Sequence, residues 1–458
     1  MSEVTLQQIL AAREERVKLQ QQLLKQFKCP LICFTMNIAG PIKNTPLIQR
    51  GFRAGLDALE QQLPGDRIQK CFIDIADTGC TAMFAVQMSA DHLKDICIAI
   101  EDATPLGRLF DMDVLNTDGV KLERASQRGC IICGAPGRSC AAGRLHSVAQ
   151  LQAATVEILT AHFALADQEY IASRAVESLI DEVNTTPKPG LVDRRNNGSH
   201  KDMTIQHFIT SANALKPYFA ECVKIGQETA HLPPANTFPL LRKAGITAEK
   251  AMYRATGGVN THKGAIYTMG ILCGSIGRLW SAERPIADIP AILEECAKTV
   301  QSSVTADFAA AVGATAGEQL YLKLGMGGIR AEVAAGLPSV SKIGLPCYQN
   351  AIAAGMTPND AGVVTLLHLI AQVDDTNLYH RGGTEGAKWA SNTVKRLLQS
   401  HPNPSVHQLE ALDNAFITRN LSPGGCADLL AVTYLLQDLT TTYICPTFSN
   451  VSLVPICR

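Results

Sequence analysis

The chain has 458 residues, 46% hydrophobic and 18% charged, with 41 Lys and Arg against 42 Asp and Glu for a net charge of −1. That length accommodates two or more domains, and the balanced charge removes the electrostatic case for bulk nucleic-acid binding. No apolar run reaches membrane-spanning length without a charge or turn former, Met1-Ser-Glu-Val-Thr-Leu6 lacks a signal-peptide pattern, and the 15 scattered cysteines read as reduced thiols of a cytoplasmic protein.

Leu6, Ile9, Leu10, Val17, Leu19 and Leu23 recur at helical spacing and predict a packing helix over 5–27. A buried strand follows at 29–37, then a turn at Gly40–Pro46 and a helix from Pro46 to about Gln62. Strand-like runs at 70–77 and 79–88 meet at Asp77-Thr-Gly79, a hairpin signal, and a helix is expected over 91–103. Asp118-Gly119 between alternating runs at 109–115 and 120–124 predicts a second hairpin. These 125 residues read as mixed α/β.

A Cys- and Arg-rich segment spans 126–147, and one or two helices fill 148–181. The turn-rich stretch Glu182–Met203 is a loop. Beyond it the pattern is all helix with Gly-rich breaks: 204–228, 238–253, 263–281, 286–301, 305–318, 329–335, 343–354, 358–374, 384–400, 405–418 and 423–440. The expected domains are 1–165, α/β with a mixed, nucleotidyltransferase-like sheet, and 166–458, all-α.

Period two places Asp111 and Asp113 on one face of a strand, opposite Phe110, Met112 and Val114. Two such carboxylates can hold Mg²⁺, with Arg108 beside them for phosphate and Glu101 or Asp102 as a third acid. Cys130, Cys133, Cys140 and His146 are zinc-ligand types at compatible spacing; because Arg128, Arg138 and Arg144 share the segment, the preferred reading is buried thiols beside an anion-binding Arg cluster. The 182–203 loop gathers Lys188, Asp193, Arg194, Arg195, His200 and Asp202, a composition suited to a polyphosphate and its metal. Asn260-Thr-His-Lys-Gly264 opens a helix and makes His262 and Lys263 an anion-site candidate. Asp374-Asp375 at an expected helix C-terminus is electrostatically unfavourable and reads as a metal candidate, while Asp428 after Ser422-Pro-Gly-Gly reads as a dipole-favoured surface residue.

Two family resemblances follow from these motifs. Glu182-Val…Thr-Pro-Lys-Pro-Gly-Leu-Val-Asp193, Gly198-Ser-His-Lys-Asp-Met203, Asn260-Thr-His-Lys-Gly264 and Ser422-Pro-Gly-Gly-Cys-Ala-Asp428 resemble triphosphoribosyl-dephospho-CoA synthase. Asn37…Gly40-Pro-Ile-Lys43, Pro105-Leu-Gly-Arg-Leu-Phe-Asp-Met-Asp-Val114 and the 130–146 segment resemble apo-citrate-lyase phosphoribosyl-dephospho-CoA transferase. The resemblance implies a fusion of successive enzymes. The second half would join ATP to 3′-dephospho-CoA with loss of adenine, using Lys188, Arg194, Arg195 and Lys263 on the triphosphate. Mg²⁺ would sit on Asp193, Asp202, Asp374 or Asp375, and His200, His262 or Glu182 would serve as acid or base. The first half would place the phosphoribosyl-dephospho-CoA unit on a serine of the apo acyl carrier (gamma) subunit of citrate lyase, releasing diphosphate, with Mg²⁺ on Asp111 and Asp113 and with Arg108 and Lys43 on phosphate. The same chemistry serving malonate decarboxylase, or a nucleotide-binding scaffold for the lyase subunits, are the alternatives. Neither nucleic acid nor membrane is an expected partner.

Overall fold

A computed structural model describes residues 2–314 and 316–442. Contacts divide the chain between Leu165 and Ala166 into two units. No helix among the described residues is long and apolar enough to cross a membrane.

The first unit opens with α1 (Leu6–Phe27), whose N-terminus is closed by a capping box between Thr5 and Gln8. Next come β1 (Leu31–Met36), α2 (Pro46–Gln62), β2 (Ile68–Ala76), β3 (Gly79–Val86), α3 (Ala90–Ala103) and β4 (Phe110–Leu115). The sheet order is β2-β3-β1-β4, and every pairing is antiparallel, so the mixed sheet expected from sequence is in fact uniform. One face packs Leu31, Cys33, Met83 and Ala85 against Leu19, Leu23 and Leu24 of α1. On the other, Phe34 stacks on Phe52 of α2 at 4.8 Å and meets Phe110 edge-on at 5.3 Å. The turn after β4 forms, with the Asn116 amide donating to Val120 at 2.9 Å. Its return leg pairs only through the isolated bridge Leu115–Lys121, so the second hairpin is a single strand plus a turn. The short α4 (Gly137–Ala142) then leads to α5 (Val148–Asn184), one helix of 37 residues that begins in the first unit and ends in the second.

The second unit is helical: α6 (Ile205–Ala214), α7 (Lys216–Thr229), α8 (Phe238–Ala255), α9 (Lys263–Leu279), α10 (Ile289–Ala309), α11 (Ala316–Leu324), α12 (Gly328–Ala334), α13 (Leu345–Ala353), α14 (Pro358–Gln372), α15 (Thr376–Ser400), α16 (Val406–Thr418) and α17 (Gly424–Thr442). Several boundaries differ from the sequence pattern. The helix expected over 204–228 breaks at Leu215, because Pro217 lacks the amide needed to continue it. The break expected after 301 is absent, and α10 continues to Ala309. Residues 376–383 are helix, with the chain kinking at Gly383 (φ 60°) instead of stopping. Asp375 explains this: it is the N-cap of α15, accepting from the Asn377 and Leu378 amides, so its charge lies at a favourable helix start rather than an unfavourable end.

At the centre of this unit, α9 is buried along nearly all of Ala265–Gly277. Glycines let α7 approach it closely: a Cβ on Gly226 would stand 2.0 Å from the Gly274 carbonyl oxygen, and one on Gly277 2.1 Å from that of Val223. Since backbone atoms cannot yield as a flexible side chain would, Gly226→Ala is expected to destabilise the protein by about 1–3 kcal/mol. Urea unfolding followed by far-UV circular dichroism tests this; an unchanged midpoint would mean the two helices separate at little cost.

Candidate active sites

In the first unit β4 carries the paired carboxylates as the period-two argument requires. Phe110, Met112 and Val114 are buried, whereas Asp111 and Asp113 point to the opposite face. They lie across from Thr35 and Cys33 of β1, and Thr35 Oγ1 donates to Asp111 at 3.5 Å. Crowding by surrounding protein atoms, then the charge of Asp113, raises the Asp111 pKa. Lys121 Nζ pairs with Asp113 at 2.6 Å and offsets part of the repulsion. Lys121 escaped the sequence reading because the turn that returns it to Asp113 was read only as a hairpin. Arg16 of α1 belongs to the same face, close enough to act electrostatically on Cys33.

Other expected residues here have different partners. Glu101 accepts from the Met112 amide at 2.8 Å and pairs with Arg124 (3.3 Å) and Arg128 (3.5 Å), while Asp102 also pairs with Arg124. Both acids are therefore engaged with structural cations, contrary to the third-ligand expectation. Lys43 Nζ donates to the Ile38 carbonyl. Arg108 donates to the Gly129 carbonyl, and Arg128 donates to those of Phe110 and Gly107. Arg128 thus holds backbone together instead of waiting for an anion, and the cysteines beside it are not uniformly buried: Cys133 is exposed and Cys130 intermediate. The Arg138 side chain lies outside the described residues.

In the second unit the 182–203 loop is organised inward. Lys188 is 1% exposed and Glu182 5%. Lys188 Nζ donates to the Glu182 carboxylate and, at 2.7 Å, to its carbonyl. Asp193 accepts from the amides of Lys188 (2.9 Å), Arg195 (2.7 Å) and Asn196 (3.2 Å), so its oxygens fasten the loop. Asp413 of α16 accepts from the Gly190 amide (2.8 Å) and from Asn196 Nδ2 (2.7 Å), a role no local pattern announced. Gly190 has φ +70°, and a Cβ there would lie 2.1 Å from the Leu421 carbonyl oxygen, so only glycine fits.

The cations expected on a polyphosphate each have a partner within the protein. Arg194 Nε donates to Asn184 at 3.0 Å, Arg195 pairs with Glu410, and Lys263 pairs with Glu249 at 3.1 Å. Asp202 and Asp374 are exposed or nearly so, the latter accepting from the Tyr379 hydroxyl at 3.3 Å. Asp375 is buried and bonded to three amides, the third being Cys426 of α17 at 2.8 Å.

Both histidines are held neutral. Arg381 Nη2 meets His200 Nδ1 at 3.0 Å; because arginine offers no acceptor, Nδ1 carries the lone pair and Nε2–H donates to Ser422 Oγ at 2.9 Å. Burial and the Arg381 charge lower the His200 pKa to about 4. His262 is buried, its Nδ1 lies 2.8 Å from Ser211 Oγ, and burial with the nearby Lys188 charge lowers its pKa to about 3. Its Nε2 is buried with no partner, and so is Thr261 Oγ1 beside it. Against this start of α9 packs Asp428: a Cβ on Gly264 would stand 2.0 Å from its Oδ2. Asp428 is only partly accessible rather than a surface residue, and burial followed by the charges of Glu182 and Asp375 raises its pKa well above the usual carboxylate range. Lys188, Glu182, His262 and Asp428 therefore share one electrostatic neighbourhood at the N-terminus of α9.

Comparison with known proteins assigns the units. The family described as "Apo-citrate lyase phosphoribosyl-dephospho-CoA transferase" matches residues 4–162, and that described as "ATP:dephospho-CoA triphosphoribosyl transferase" matches 168–445. A protein of Haemophilus influenzae named "Protein CitXG" is 36% identical over 94% of this chain and 96% of its own length. One of the same name from Leuconostoc mesenteroides subsp. cremoris is 33% identical over 95% and 97%. A "2-(5''-triphosphoribosyl)-3'-dephosphocoenzyme-A synthase" of Pectobacterium atrosepticum is 43% identical over 59% of this chain and 89% of its own. The chain belongs to both families, joining in one polypeptide an apo-citrate lyase phosphoribosyl-dephospho-CoA transferase and an ATP:dephospho-CoA triphosphoribosyl transferase.

Proposed function

We propose that the helical unit performs its transfer at the N-terminus of α9, and the carrying observation is the pair of buried, unpartnered polar atoms there, His262 Nε2 and Thr261 Oγ1. A native protein seldom leaves such atoms unsatisfied, and bound substrate supplies the missing partners. The reaction joins a ribose hydroxyl of 3′-dephospho-CoA to the anomeric carbon of the ATP ribose; the C–O bond forms, the bond to adenine breaks, and the triphosphate is retained. The start of α9, which has no side-chain cap, and the helix dipole suit that triphosphate. In the tautomer whose Nδ1–H donates to Ser211, His262 Nε2 presents a lone pair for the attacking hydroxyl, the role of general base. His200 has no free lone pair while Arg381 occupies Nδ1, so it serves as a fixed donor that orders Ser422.

The first unit then transfers the phosphoribosyl-dephospho-CoA moiety to a serine of the apo acyl carrier (gamma) subunit of citrate lyase, with diphosphate leaving. Asp111 and Asp113 provide hard oxygen donors on one face, a set that fits Mg²⁺, and Asp428 offers the same chemistry in the helical unit, where Asp193 and Asp375 are engaged with amides. Bound Mg²⁺ supplies neutralisation of phosphate charge. Lys121 complements the acids of β4. ATP and dephospho-CoA as substrates, with free thiols in the protein, support a cytoplasmic location.

Three outcomes test this reading. Asp111→Asn and Asp113→Asn are each expected to slow carrier modification by at least about 100-fold while leaving adenine release intact, measured by carrier mass and by chromatography of adenine. Loss of neither activity, or of both, contradicts a division of labour between the units. His262→Gln is expected to reduce adenine release by about 100-fold or more while transfer from supplied triphosphoribosyl-dephospho-CoA persists. The histidines also predict a pH effect. Their folded pKa values, about 3 and about 4, lie below the ordinary 6.5, so the unfolded chain binds more protons at mildly acid pH. Their contribution to stability is complete above pH about 6.5 and is lost as pH falls towards 4 and then 3. Urea midpoints recorded across that window should decline less steeply in His262→Gln than in the parent; parallel curves would refute a buried neutral His262.

A further inference from the structure

Outside both candidate active sites, one cluster of side chains remains without a task. Cys130, Cys133, Cys140 and His146 bring three Sγ atoms and one imidazole nitrogen within 4.8 Å of one another. We propose that these four side chains form a closed structural zinc site that fixes the 126–147 segment against the strand carrying Asp111.

The local backbone is shaped for this. Residues 129–136 fold back on themselves through the Gly129–Pro136 bridge, the Cys130 amide donates to Ala135 at 2.7 Å, and the Gly134 amide returns to Cys130 at 3.0 Å. Gly134 takes φ +71°, which permits the tight turn after Cys133. The Ile132 amide points at Cys130 Sγ at 3.4 Å, the donor geometry that stabilises a thiolate. Cys140 comes from α4, and the Leu145 amide, bonded to the Cys140 carbonyl at 3.2 Å, brings the chain round so that His146 joins the group. His146 Nε2 is buried and has no hydrogen-bond partner. An unpartnered imidazole nitrogen beside three thiols is what a missing ligand bond looks like. Tetrahedral zinc with Zn–S bonds of about 2.3 Å separates its sulfurs by about 3.8 Å, so small adjustments within the 4.8 Å group suffice. Three sulfurs and one nitrogen fill all four positions, which marks a structural rather than a catalytic centre, and soft thiolates select zinc over magnesium.

The segment has something to hold. Arg108, three residues before Asp111, donates to the Gly129 carbonyl, and Arg128 donates back to Gly107 (2.6 Å) and to Phe110. These reciprocal bonds join the cysteine segment to the start of β4. With only a six-residue helix and one isolated bridge, the segment has little regular structure of its own, and the metal supplies the missing cross-link.

The full chain, purified without chelator, should contain close to one zinc per polypeptide by atomic absorption. Cys133→Ser, at the exposed ligand, and His146→Ala should each weaken zinc binding at least about tenfold in competition with a chromogenic chelator. Replacement by Co²⁺ should give a thiolate charge-transfer absorption that Cys133→Ser diminishes. Removing the metal should impair carrier modification but leave adenine release by the helical unit in place. The metal readouts stand apart from the assignment of activity to either unit. Absence of zinc both as purified and after reduction with added Zn²⁺ would overturn the proposal, as would stoichiometric zinc retained by a Cys130→Ser/Cys133→Ser variant. Cysteines recovered as a disulfide that binds no zinc after reduction would overturn it equally.

Discussion

The buried ion pair between Lys188 and Glu182 is the constraint around which the helical unit's site is arranged. An ammonium 1% exposed and a carboxylate 5% exposed have both lost their water, so each must satisfy the other. Such a pair adds little stability relative to well-packed apolar residues, but breaking it leaves an uncompensated charge and costs about 3–5 kcal/mol. The pair ties the last turns of α5 to the loop that follows, and the remaining polar groups of the loop close on themselves through Asp193 and onto α16 through Asp413. The pair also places a positive charge near His262, which helps to keep that imidazole neutral.

This arrangement explains why composition alone does not reveal the partners of the loop's cations. Three fixed cations in a short stretch read as a phosphate site, yet Lys188 is buried on Glu182, Arg195 pairs with Glu410 and Arg194 turns to Asn184. Their partners include a glutamate more than two hundred residues away, and a spacing rule carries no information about it. Asp375 teaches the same lesson. Its nearest sequence context ends a helix, but its oxygens cap α15 and reach Cys426 of α17, a tertiary contact that converts an apparent electrostatic fault into a favourable one. Asp428 errs in the other direction: a residue typical of a solvated first turn is pressed against Gly264 by the packing of α17 on α9.

Features decided by neighbouring residues were legible. Thr45 capping and Pro46 at the first helical position define the start of α2, and the strict alternation of β4 separates Asp111 and Asp113 from Phe110, Met112 and Val114. The break at Leu215 follows from Pro217 and was available to sequence reasoning, but the strong apolar periodicity on both sides concealed it. The continuation of helix through 376–383 was not available, because Gly382-Gly383 resembles a terminator until the kink and the distant packing of Leu421 beside Gly382 are seen.

The two candidate sites solve opposite electrostatic problems. On β4, two like charges share a face with Lys121 as partial relief, and in the proposed reading a metal and a phosphorylated substrate complete that site. At α9 the fixed charges Lys188 and Glu182 cancel, and what remains is a helix N-terminus, a neutral imidazole and one carboxylate of raised pKa. In the proposed reading the second arrangement takes a triphosphate without a strong cationic anchor, which suits a product that must keep its triphosphate and then leave. The first, in the same reading, meets that polyphosphate when the leaving diphosphate has to be stabilised. In the proposed reading phosphate is a passenger at α9 and the leaving group on β4, and the fixed charges of the two candidate sites differ accordingly.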